Sequence, residues 1–413
     1  RAFIRSLGGG LAAVAFGDRL WARYAGVPAP DLAADEEFWA TVRGQYRLTS
    51  DYINLENGYY AMQSQPVLEG FIGRVRELNF RASRYLRTDQ FKDKDAVRDR
   101  LAGLAGCAPE ELIITRNTTE SLDTVIAGFD WKPGDEAVMA AQDYGAMLDM
   151  FALQARRHGM VARIVSLPQD PASDDEIVRL YESAITPRTR LLMVCHMVNI
   201  TGQILPVAKV SDMAHRHGVQ VMVDGAHTFA HLDFKIPDLH GDYFGTSLHK
   251  WLGAPLGAGL LWVRRDRIGP LWPIFANSGV TDEQIAKLNH TGTHPCHTDL
   301  AINDAIDYHL GLGTARKEAR LRFLQQYWTS RVRGVPGIVV NTPTDPARAC
   351  AIANVGITKL TPADLATALF DRYKVWTVAI DSAGVRGTRI TPQVFTSTAE
   401  LDVLVRALKE LAA

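Results

Sequence analysis

The sequence has few cysteines, and their arrangement predicts neither a metal site nor a redox site. The four cysteines, Cys107, Cys195, Cys296 and Cys350, lie far apart in a chain of 413 residues. Because none belongs to a C-x-x-C pair, zinc ribbons and thioredoxin-like redox motifs are excluded. Cys195 lies in the apolar run LLMVC, which predicts a buried core thiol. The positions predict no disulfide.

The chain also lacks an excess of charge and a long hydrophobic run. Its formal net charge of -1 shows no excess of positive charge that would attract nucleic acid or an anionic membrane. No segment reaches the roughly 18 consecutive apolar residues that a membrane-spanning helix requires. Neither G-x-G-x-x-G nor G-x-x-x-x-G-K-S/T occurs, so a nucleotide-dependent α/β enzyme such as a dehydrogenase is a weak alternative. With 47% hydrophobic and 22% charged residues, the composition is that of an ordinary globular protein.

An export signal is predicted at the N-terminus, over residues 1–17, RAFIRSLGGGLAAVAFG. Arg1 and Arg5 precede a weakly hydrophobic, glycine-rich stretch that is too short to span a bilayer but suits the apolar region of a signal. The pattern resembles a twin-arginine signal that lacks the residue before Arg1, with residues 13–15, Ala-Val-Ala, as a cleavage site. It predicts a periplasmic location. The alternative is an amphipathic N-terminal arm on a cytoplasmic protein.

From about residue 96 to residue 265, short apolar runs alternate with helical patterns, which predicts an α/β fold. The runs are almost continuously hydrophobic, as in strands that are covered on both faces, so we expect a largely parallel sheet between helix layers. A short helix is expected over residues 207–217, ended by Gly218. The predicted strands are ELIIT (111–115), EAVMA (136–140), ARIVS (162–166), RLLMVC (190–195), VQVMV (219–223) and GLLWV (259–263).

The pattern changes after about residue 300, and a chain of this length predicts more than one domain. One long helical stretch is expected over residues 300–333, followed by a smaller region of strands and helices. We therefore predict an N-terminal segment (18–55) that packs on the small domain, a large α/β domain (56–300), and a linking helix with a small α+β domain (301–413).

The most informative stretch is residues 221–256. A hydrophobic strand there ends in Asp224, and a second strand-like run ends in Ser-Leu-His-Lys at Lys250. Pyridoxal phosphate requires such a pair, because an amine forms an imine with its aldehyde and a carboxylate keeps its pyridine nitrogen protonated. Taken singly, each residue has a simpler interpretation, a strand-capping aspartate and a surface lysine.

Other predicted strands also end in polar residues, and ligands of open α/β sheets lie outside the carboxyl ends of the strands. Residues 117–121 lead into a helix whose hydroxyls and free N–H groups suit a phosphate; simple N-capping is the alternative. Asn199 is placed to donate an amide hydrogen to an oxygen substituent, or it forms a turn. Tyr144 is placed to lie against a pyridine ring, or it is an exposed loop tyrosine.

Taken together, these motifs resemble the class V aminotransferase branch of the fold type I pyridoxal phosphate enzymes, and in particular isopenicillin N epimerase-like proteins. The resemblance covers roughly residues 50–410, with cysteine desulfurases as more distant relatives. It implies an α/β large domain with a mainly parallel seven-stranded sheet, a smaller α+β C-terminal domain, a pyridoxal 5'-phosphate cofactor, and a homodimer with shared active sites.

The resemblance also implies roles for single residues around the cofactor. Catalysis falls to Lys250, which forms the imine, and to Asp224, which holds the pyridine nitrogen. The implied cofactor contacts are Thr118, Thr119, Ser247 and His249 at the phosphate, Tyr144 against the ring, Asn199 and His227 near the phenolic oxygen, and Thr293, after Gly292, at the phosphate of the neighbouring subunit.

For the substrate, the resemblance implies that Arg389 clamps a carboxylate, a task that suits a planar guanidinium. Residues 54–60, Asn-Leu-Glu-Asn-Gly-Tyr-Tyr, resemble the loop that lines the substrate pocket, which implicates Asn57 and Tyr60. No metal is predicted. Asp224, His227 and His231 have a spacing that suggests zinc, but they are expected to leave their strand as a loop and not as a helix that presents ligands on one face.

The expected substrate is the amino group of an amino acid or a small peptide, and the reaction stays open. A proton removed from Cα returns to the cofactor in transamination and to the opposite face in epimerisation, while a lyase expels a β or γ substituent. Residues 374–387 contain no cysteine, and Cys350 lies well upstream, which disfavours a persulfide-forming desulfurase. A colourless exported binding protein is the alternative outside enzymology.

Overall fold

The computed structural model describes residue 24 and residues 26–413; the predicted export signal lies outside the described residues. The strands in the described part of the chain are β1 (Ile53–Asn54), β2 (Leu112–Thr115), β3 (Glu136–Ala140), β4 (Val161–Val165), β5 (Thr189–Cys195), β6 (Gln220–Asp224), β7 (Tyr243–Ser247), β8 (Gly259–Val263), β9 (Ile338–Val340), β10 (Ala353–Ile357), β11 (Val375–Trp376), β12 (Val378–Ser382) and β13 (Val385–Ile390). The predicted strands of the large domain are therefore present within one or two residues of their predicted bounds.

The α-helices of the same residues are α1 (Ala29–Leu32), α2 (Glu36–Arg43), α3 (Gln65–Thr88), α4 (Gln90–Ala105), α5 (Thr118–Gly128), α6 (Gly145–His158), α7 (Asp174–Ser183), α8 (Val207–Arg216), α9 (Arg265–Ile268), α10 (Cys296–Leu312), α11 (Thr314–Val332), α12 (Pro362–Tyr373) and α13 (Thr398–Ala412). None of these helices is long and apolar enough to cross a membrane. Several begin at side-chain caps, among them α5, where Asn117 accepts from the Glu120 N–H group.

The large domain is built on a seven-stranded sheet with the order β2-β8-β7-β6-β5-β3-β4. The strand β8 runs antiparallel to both of its neighbours, and the other pairs from β7 to β4 are parallel. The mainly parallel sheet that the sequence predicts is thus confirmed. Side chains alternate between two hydrophobic clusters, with Leu192 and Val194 in one and Leu191 and Met193 in the other. Both faces are covered, which explains the continuous hydrophobicity.

The register of this sheet places the ends of several strands at one edge. Asp224, the last residue of β6, pairs with Cys195, the last residue of β5. Asp224 also pairs with Gly245 in β7, and Ser247 at the end of β7 pairs with Gly259. Thr115 at the end of β2 pairs with the same Gly259. Segments that follow these strands therefore emerge together, as ligand sites of α/β sheets require.

The helical stretch predicted over residues 300–333 as one unit is two helices, α10 and α11. Gly313 separates them with a φ of +88°, a value that glycine tolerates and that interrupts helical geometry. Helix α10 packs on α3 and α4, whereas α11 packs on α1 and α13. The break therefore lets one continuous chain leave the large domain and enter the core of the small one.

The small domain is a four-stranded antiparallel sheet, β12-β13-β10-β9, packed against helices. A third hydrophobic cluster fills the space between the layers and includes Leu324, Trp328, Leu365 and Leu404. A separate two-stranded parallel pairing of β1 with β11 attaches the segment before the large domain to this unit. The smaller C-terminal domain with its own sheet agrees with the predicted fold class.

The N-terminal segment is held between the two domains. Phe38 and Trp39 of α2 are buried in a fourth cluster that includes Trp251 of the large domain and Phe395 of the small one. Arg43 forms two hydrogen bonds of 2.8 Å with the carboxylate of Glu400 in α13. The described part of this segment therefore contacts both the small domain and the large domain.

Candidate active site

Lys250 lies in the turn that follows β7, with its side chain partly buried. Its Nζ lies 3.2 Å from Nε2 of His227. Burial lowers the pKa of Lys250 to about 8, while the negative charge of Asp224 acts in the opposite direction. In residue 24 and residues 26–413, no carboxylate lies within ion-pair distance of this amine. A lysine amine with a lowered pKa and no ion pair is suited to attack a carbonyl group.

Asp224 is buried at the end of β6. Its Oδ1 accepts a hydrogen bond of 2.9 Å from the Ala226 N–H group. Burial raises the pKa of Asp224, although this N–H group and the charge of Lys250 act against the increase. Within the described residues, Asp224 forms no ion pair. A buried carboxylate of this kind is costly unless a cationic donor completes its environment.

His227 is oriented by Trp251, the residue after Lys250. The Trp251 Nε1–H group donates to Nδ1 of His227 at 3.3 Å. Because an indole nitrogen is only a donor, the neutral ring carries its proton on Nε2, which faces Lys250. Burial lowers the pKa of His227 well below its ordinary value, so the ring is neutral near pH 7.

His231 supports this arrangement through its ring face and both ring nitrogens. Its ring stacks on Trp251 with centroids 3.7 Å apart. His231 Nδ1 lies 2.7 Å from the His227 carbonyl oxygen, and Nε2 accepts from the Ala351 N–H group at 3.1 Å. Within the described part of the chain, no group of three or more His, Cys, Asp or Glu side chains is placed to hold a metal ion.

The predicted phosphate loop meets the end of β7. The N–H group of Thr118 donates to Ser247 Oγ at 2.9 Å, and the two hydroxyl oxygens lie 2.7 Å apart. Asn117 caps the helix through Glu120, so capping and a hydroxyl cradle are both present at α5. Thr119 is partly buried in the first turn. Free N–H groups and the helix dipole favour an anion at this end.

His249 leaves an unsatisfied nitrogen beside this region. Its Nδ1 is buried, and no hydrogen-bond partner for it exists among residue 24 and residues 26–413. Burial lowers the pKa of His249 to about 4, so the ring is neutral. A buried nitrogen without a partner is costly, and a bound phosphate oxygen is one group that satisfies it.

The donor set therefore fits pyridoxal phosphate. It contains an amine without an ion pair at Lys250 and a buried carboxylate without a cation at Asp224. It also contains a helix N-terminus with two hydroxyls and an unsatisfied imidazole nitrogen. These are the groups that an aldehyde, a pyridine nitrogen and a phosphate would require.

Three of the predicted cofactor contacts, Tyr144, Asn199 and Thr293, lie in loops, and their roles remain predictions. Tyr144 is 48% exposed at the start of α6, after the end of β3. Asn199 follows β5, and its carbonyl oxygen accepts from Arg389 Nη1 at 3.2 Å. Thr293 is exposed in the loop before α10, as expected of a residue that would reach a second subunit.

Arg389 is buried at the end of β13, and its guanidinium is already paired. Its Nη2 lies 2.5 Å from Oε1 of Glu56, and its Nε lies 3.2 Å from Oε2 of the same carboxylate. The side chains of Arg389 and Glu56 are 9% and 8% exposed. The sequence analysis missed Glu56, although an acidic residue in a pocket-lining loop was a usable signal.

Asn57 is fully buried, and its predicted substrate contact remains a prediction. Its Nδ2 donates to the Thr391 carbonyl at 2.8 Å, and its Oδ1 accepts from Asn54 Nδ2 at 3.0 Å. It therefore fixes the loop that carries Glu56. Tyr60 is partly buried, and burial raises its pKa; its substrate contact remains a prediction.

Asp143 is a second group that the sequence analysis did not assign. It is buried next to Tyr144, and its Oδ2 accepts from the Ala140 N–H group at 2.7 Å. Burial raises the pKa of Asp143 to about 8, and the charge of Asp224 contributes to the increase. Asp143 is therefore mainly neutral near pH 7, which avoids a second buried charge near Asp224.

Comparison with known proteins agrees with this geometry. A model of the family described as Aminotransferase class-V matches residues 71–407. Isopenicillin N epimerase from Amycolatopsis lactamdurans is 31% identical over 397 residues, which cover 91% of this chain and 98% of that protein. The apo structure of cysteine desulfurase from Thermococcus onnurineus NA1 has a TM-score of 0.80 at 22% identity and covers 90% of this chain and 97% of that chain.

The chain belongs to the class V aminotransferase family. A further solved structure, a C-DES mutant with glycine covalently linked to its PLP cofactor, has a TM-score of 0.81 at 20% identity and covers 89% of this chain and 99% of that chain. The fold is therefore that of the fold type I pyridoxal phosphate enzymes. The resemblance that the motifs implied is confirmed, and the structural likeness at these identities concerns the fold alone.

The lowered pKa of Lys250 predicts how fast the cofactor-free protein reacts with pyridoxal phosphate. The neutral amine is the reactive form, so covalent trapping of Lys250 with cyanoborohydride should rise with pH around a midpoint near 8 and not near 10.5. The measurement is the labelled fraction of the Lys250 peptide by mass spectrometry. In Asp224→Asn the midpoint should move to lower pH, because Asp224 raises this pKa. A midpoint near 10 in both proteins would contradict the assignment.

Proposed function

We propose that this protein is a pyridoxal phosphate-dependent enzyme that acts on the amino group of an amino acid or a small peptide, by transamination or epimerisation. The observation that carries the proposal is the placement of Lys250 and Asp224 at one sheet edge, next to the joined hydroxyls of Ser247 and Thr118. An exported binding protein provides no reason for this amine and this carboxylate to lie together without an ion pair.

Pyridoxal phosphate, when bound, supplies an aldehyde for the amino group and a ring that accepts the electron pair of the neighbouring C–H bond. Asp224 would hold the pyridine nitrogen, and Ser247, Thr118 and His249 would hold the phosphate. Lys250 removes the proton from the carbon that bears the amino group. Its pKa of about 8 suits a general base near neutral pH.

His227 assists Lys250 in this scheme. Its Nε2–H group faces the Lys250 amine at 3.2 Å, and its neutral state is maintained by burial. It therefore orients the neutral amine by donating to its lone pair, and this hydrogen bond must break before Lys250 takes the substrate proton. Because His227 lies beside Lys250, it does not offer a separate acid for the opposite face of the substrate. That geometry favours transamination, whereas the 31% identity with an isopenicillin N epimerase favours epimerisation.

The cysteines support a reaction without a persulfide. Cys195, Cys296 and Cys350 are buried, and burial raises the pKa of Cys107 to about 12. Thiols in such surroundings are poor nucleophiles, since the thiolate is the reactive form. A lyase that eliminates a β or γ substituent needs no protein thiol and remains the alternative. The fold-level likeness to a cysteine desulfurase does not distinguish these reactions.

We further propose that the enzyme is a homodimer in which Thr293 reaches the phosphate of the second subunit. The loop before α10 exposes Trp272, Ile274 and Phe275, with Trp272 66% exposed. Large apolar side chains clustered in one loop are typical of interfaces.

Replacement of Trp272 and Phe275 by serine should weaken dimerisation by about tenfold or more, because each aromatic anchor of an interface contributes on the order of 1 kcal/mol or more. Analytical ultracentrifugation over a concentration series measures the dissociation constant. Trp376→Ser is the matched control, since Trp376 is 46% exposed on the small domain. A dissociation constant that is unchanged in the double variant, or a wild type that is monomeric throughout, would refute this interface.

We also propose that the enzyme is exported to the periplasm through the twin-arginine route. The support is the arginine-containing, glycine-rich pattern of residues 1–17. Arg1→Lys should hold the chain in the cytoplasm, which cell fractionation would show. N-terminal sequencing of the exported wild type would show where the signal is cleaved. Arg19→Lys is the control, because Arg19 follows the predicted signal. An intact wild-type chain found only in the cytoplasm, with residues 1–17 uncleaved, would remove the proposal.

The cofactor assignment predicts a yellow protein. Wild type should absorb in the visible range, and borohydride should fix the cofactor covalently on the peptide that contains Lys250. The variant Lys250→Ala should retain no cofactor after borohydride and denaturation. Spectral changes on addition of single amino acids and short peptides then sort transamination, epimerisation and elimination by their products. A wild type that stays colourless with added pyridoxal phosphate would overturn the enzyme assignment and favour the binding protein.

A further inference from the structure

The ion pair between Arg389 and Glu56 occupies the group that would otherwise clamp a substrate carboxylate. The Nε–Nη2 edge of the guanidinium is bonded to the two carboxylate oxygens of Glu56, and Nη1 donates to the Asn199 carbonyl at 3.2 Å. Arginine has five N–H donors, and three of them are used here, so two remain for a ligand. The pairing edge is the one that gives bidentate recognition of a carboxylate.

The backbone around Glu56 keeps this pair in place. Glu56 forms a parallel bridge with Thr391, two residues after Arg389. The N–H groups of Asn57 and Gly58 donate to Thr391 Oγ1 at 2.7 and 3.0 Å. Glu56 Oε1 also accepts from the Tyr59 N–H group at 3.1 Å. The Glu56 carboxylate thus accepts from three donors, two on Arg389 and one on the Tyr59 backbone, and the loop that carries it is fixed.

The pair lies within electrostatic reach of the Lys250 amine. Arg389 lowers and Glu56 raises the pKa of Lys250, so the two side chains act on this amine with opposite sign. A substrate whose amino group lies at Lys250 would therefore place the substituent on the same carbon near the Arg389–Glu56 pair. This pair has no net charge, unlike an arginine without a partner. A carboxylate there gains little attraction from Arg389 and is repelled by Glu56.

Displacement of Glu56 by a substrate carboxylate would not restore the attraction. The displaced carboxylate would keep one N–H donor from Tyr59 in a site where it is 8% exposed. Separating the two partners of a buried ion pair is strongly unfavourable, because here it would leave the Glu56 carboxylate as an uncompensated buried charge. A neutral carbonyl oxygen, in contrast, can accept from the remaining N–H groups of Arg389 without disturbing the pair.

We propose that Glu56 is a specificity-determining residue that masks Arg389, so that the site selects an amino group whose adjacent carboxyl is neutral. Such a group occurs at the amino terminus of a peptide or in an amino-acid amide, and it is favoured over the same amino group beside a free carboxylate. This inference rests on the proposed function and narrows its substrate class.

The test compares two probes that differ only in the carboxyl group, L-alaninamide and L-alanine, on the holoenzyme. The half-saturating concentration of each is read from the change of the visible cofactor band. In Glu56→Gln, which leaves the Arg389 charge unpaired, the value for L-alanine should fall by about tenfold or more, and that for L-alaninamide should change by less than about threefold. Because each probe is compared with itself between proteins, the different basicities of the two amines cancel.

Glu400→Gln is the matched control, because it removes the carboxylate of a comparable bidentate pair with Arg43 in the C-terminal helix. Glutamine retains the capping-box hydrogen bond at that position, so the helix start is preserved. This variant should leave both probes unchanged. Thermal unfolding of both variants shows whether either substitution disturbs the fold.

A titration with propionate by calorimetry separates this inference from the proposed function. Propionate has no amino group, so its binding needs no reaction at Lys250, and inorganic phosphate is added throughout to occupy the anion site at the start of α5. Glu56→Gln should bind propionate about tenfold more tightly than wild type, and propionamide equally well in both. Unchanged propionate and L-alanine binding in Glu56→Gln, or a wild type that prefers L-alanine over L-alaninamide, would overturn the masking role. A missing cofactor band would overturn the proposed function, while the propionate result would still stand.

Discussion

Close packing of helix α5 against the strands β7 and β8 is the constraint on which the site depends. A Cβ atom at Gly245 would lie 2.7 Å from Leu122 of α5, and one at Gly259 would lie 2.7 Å from the Asn117 backbone. Only glycine permits this approach, which carries the Thr118 N–H group to Ser247. The same strand ends just before Lys250, and it pairs with the strand that carries Asp224, whose charge acts on the Lys250 amine. One packing contact therefore aligns the groups for phosphate, aldehyde and ring nitrogen.

The part of the structure that depends on local sequence was predictable. Strands that are buried on both faces read as short apolar runs, and the parallel order of β5, β6 and β7 brings their ends to one edge whatever the details of the loops. Asp224 and Lys250 follow directly from that rule. The single helix expected over residues 300–333 was wrong for a local reason that the sequence contains, since Gly313 interrupts it with a positive φ.

The part that depends on contacts between distant segments was not predictable. Glu56 and Arg389 are 333 residues apart, and they meet because β1 pairs with β11 and the Asn57 loop bonds to Thr391. No periodicity in either segment carries that information. The hydrogen bond from Asn57 to Thr391 was not predictable for the same reason, because the motif does not show which distant segment the side chain contacts. Trp251 was overlooked because its partner, His227, lies on another strand end.

The two halves of the site consequently have different structural origins. Groups for the cofactor come from consecutive strand ends of the large domain, where the sheet fixes their positions. The groups proposed to face the substrate come from β13 of the small domain and from the loop after β1, which are joined by the Thr391 hydrogen bonds. A residue such as Glu56 in that loop sets the charge beside Arg389, whereas Asp224 and Lys250 are held by the sheet of the other domain. Members of a family with one cofactor site can therefore differ in substrate through a single buried residue, and the fold alone does not reveal which substrate each one takes.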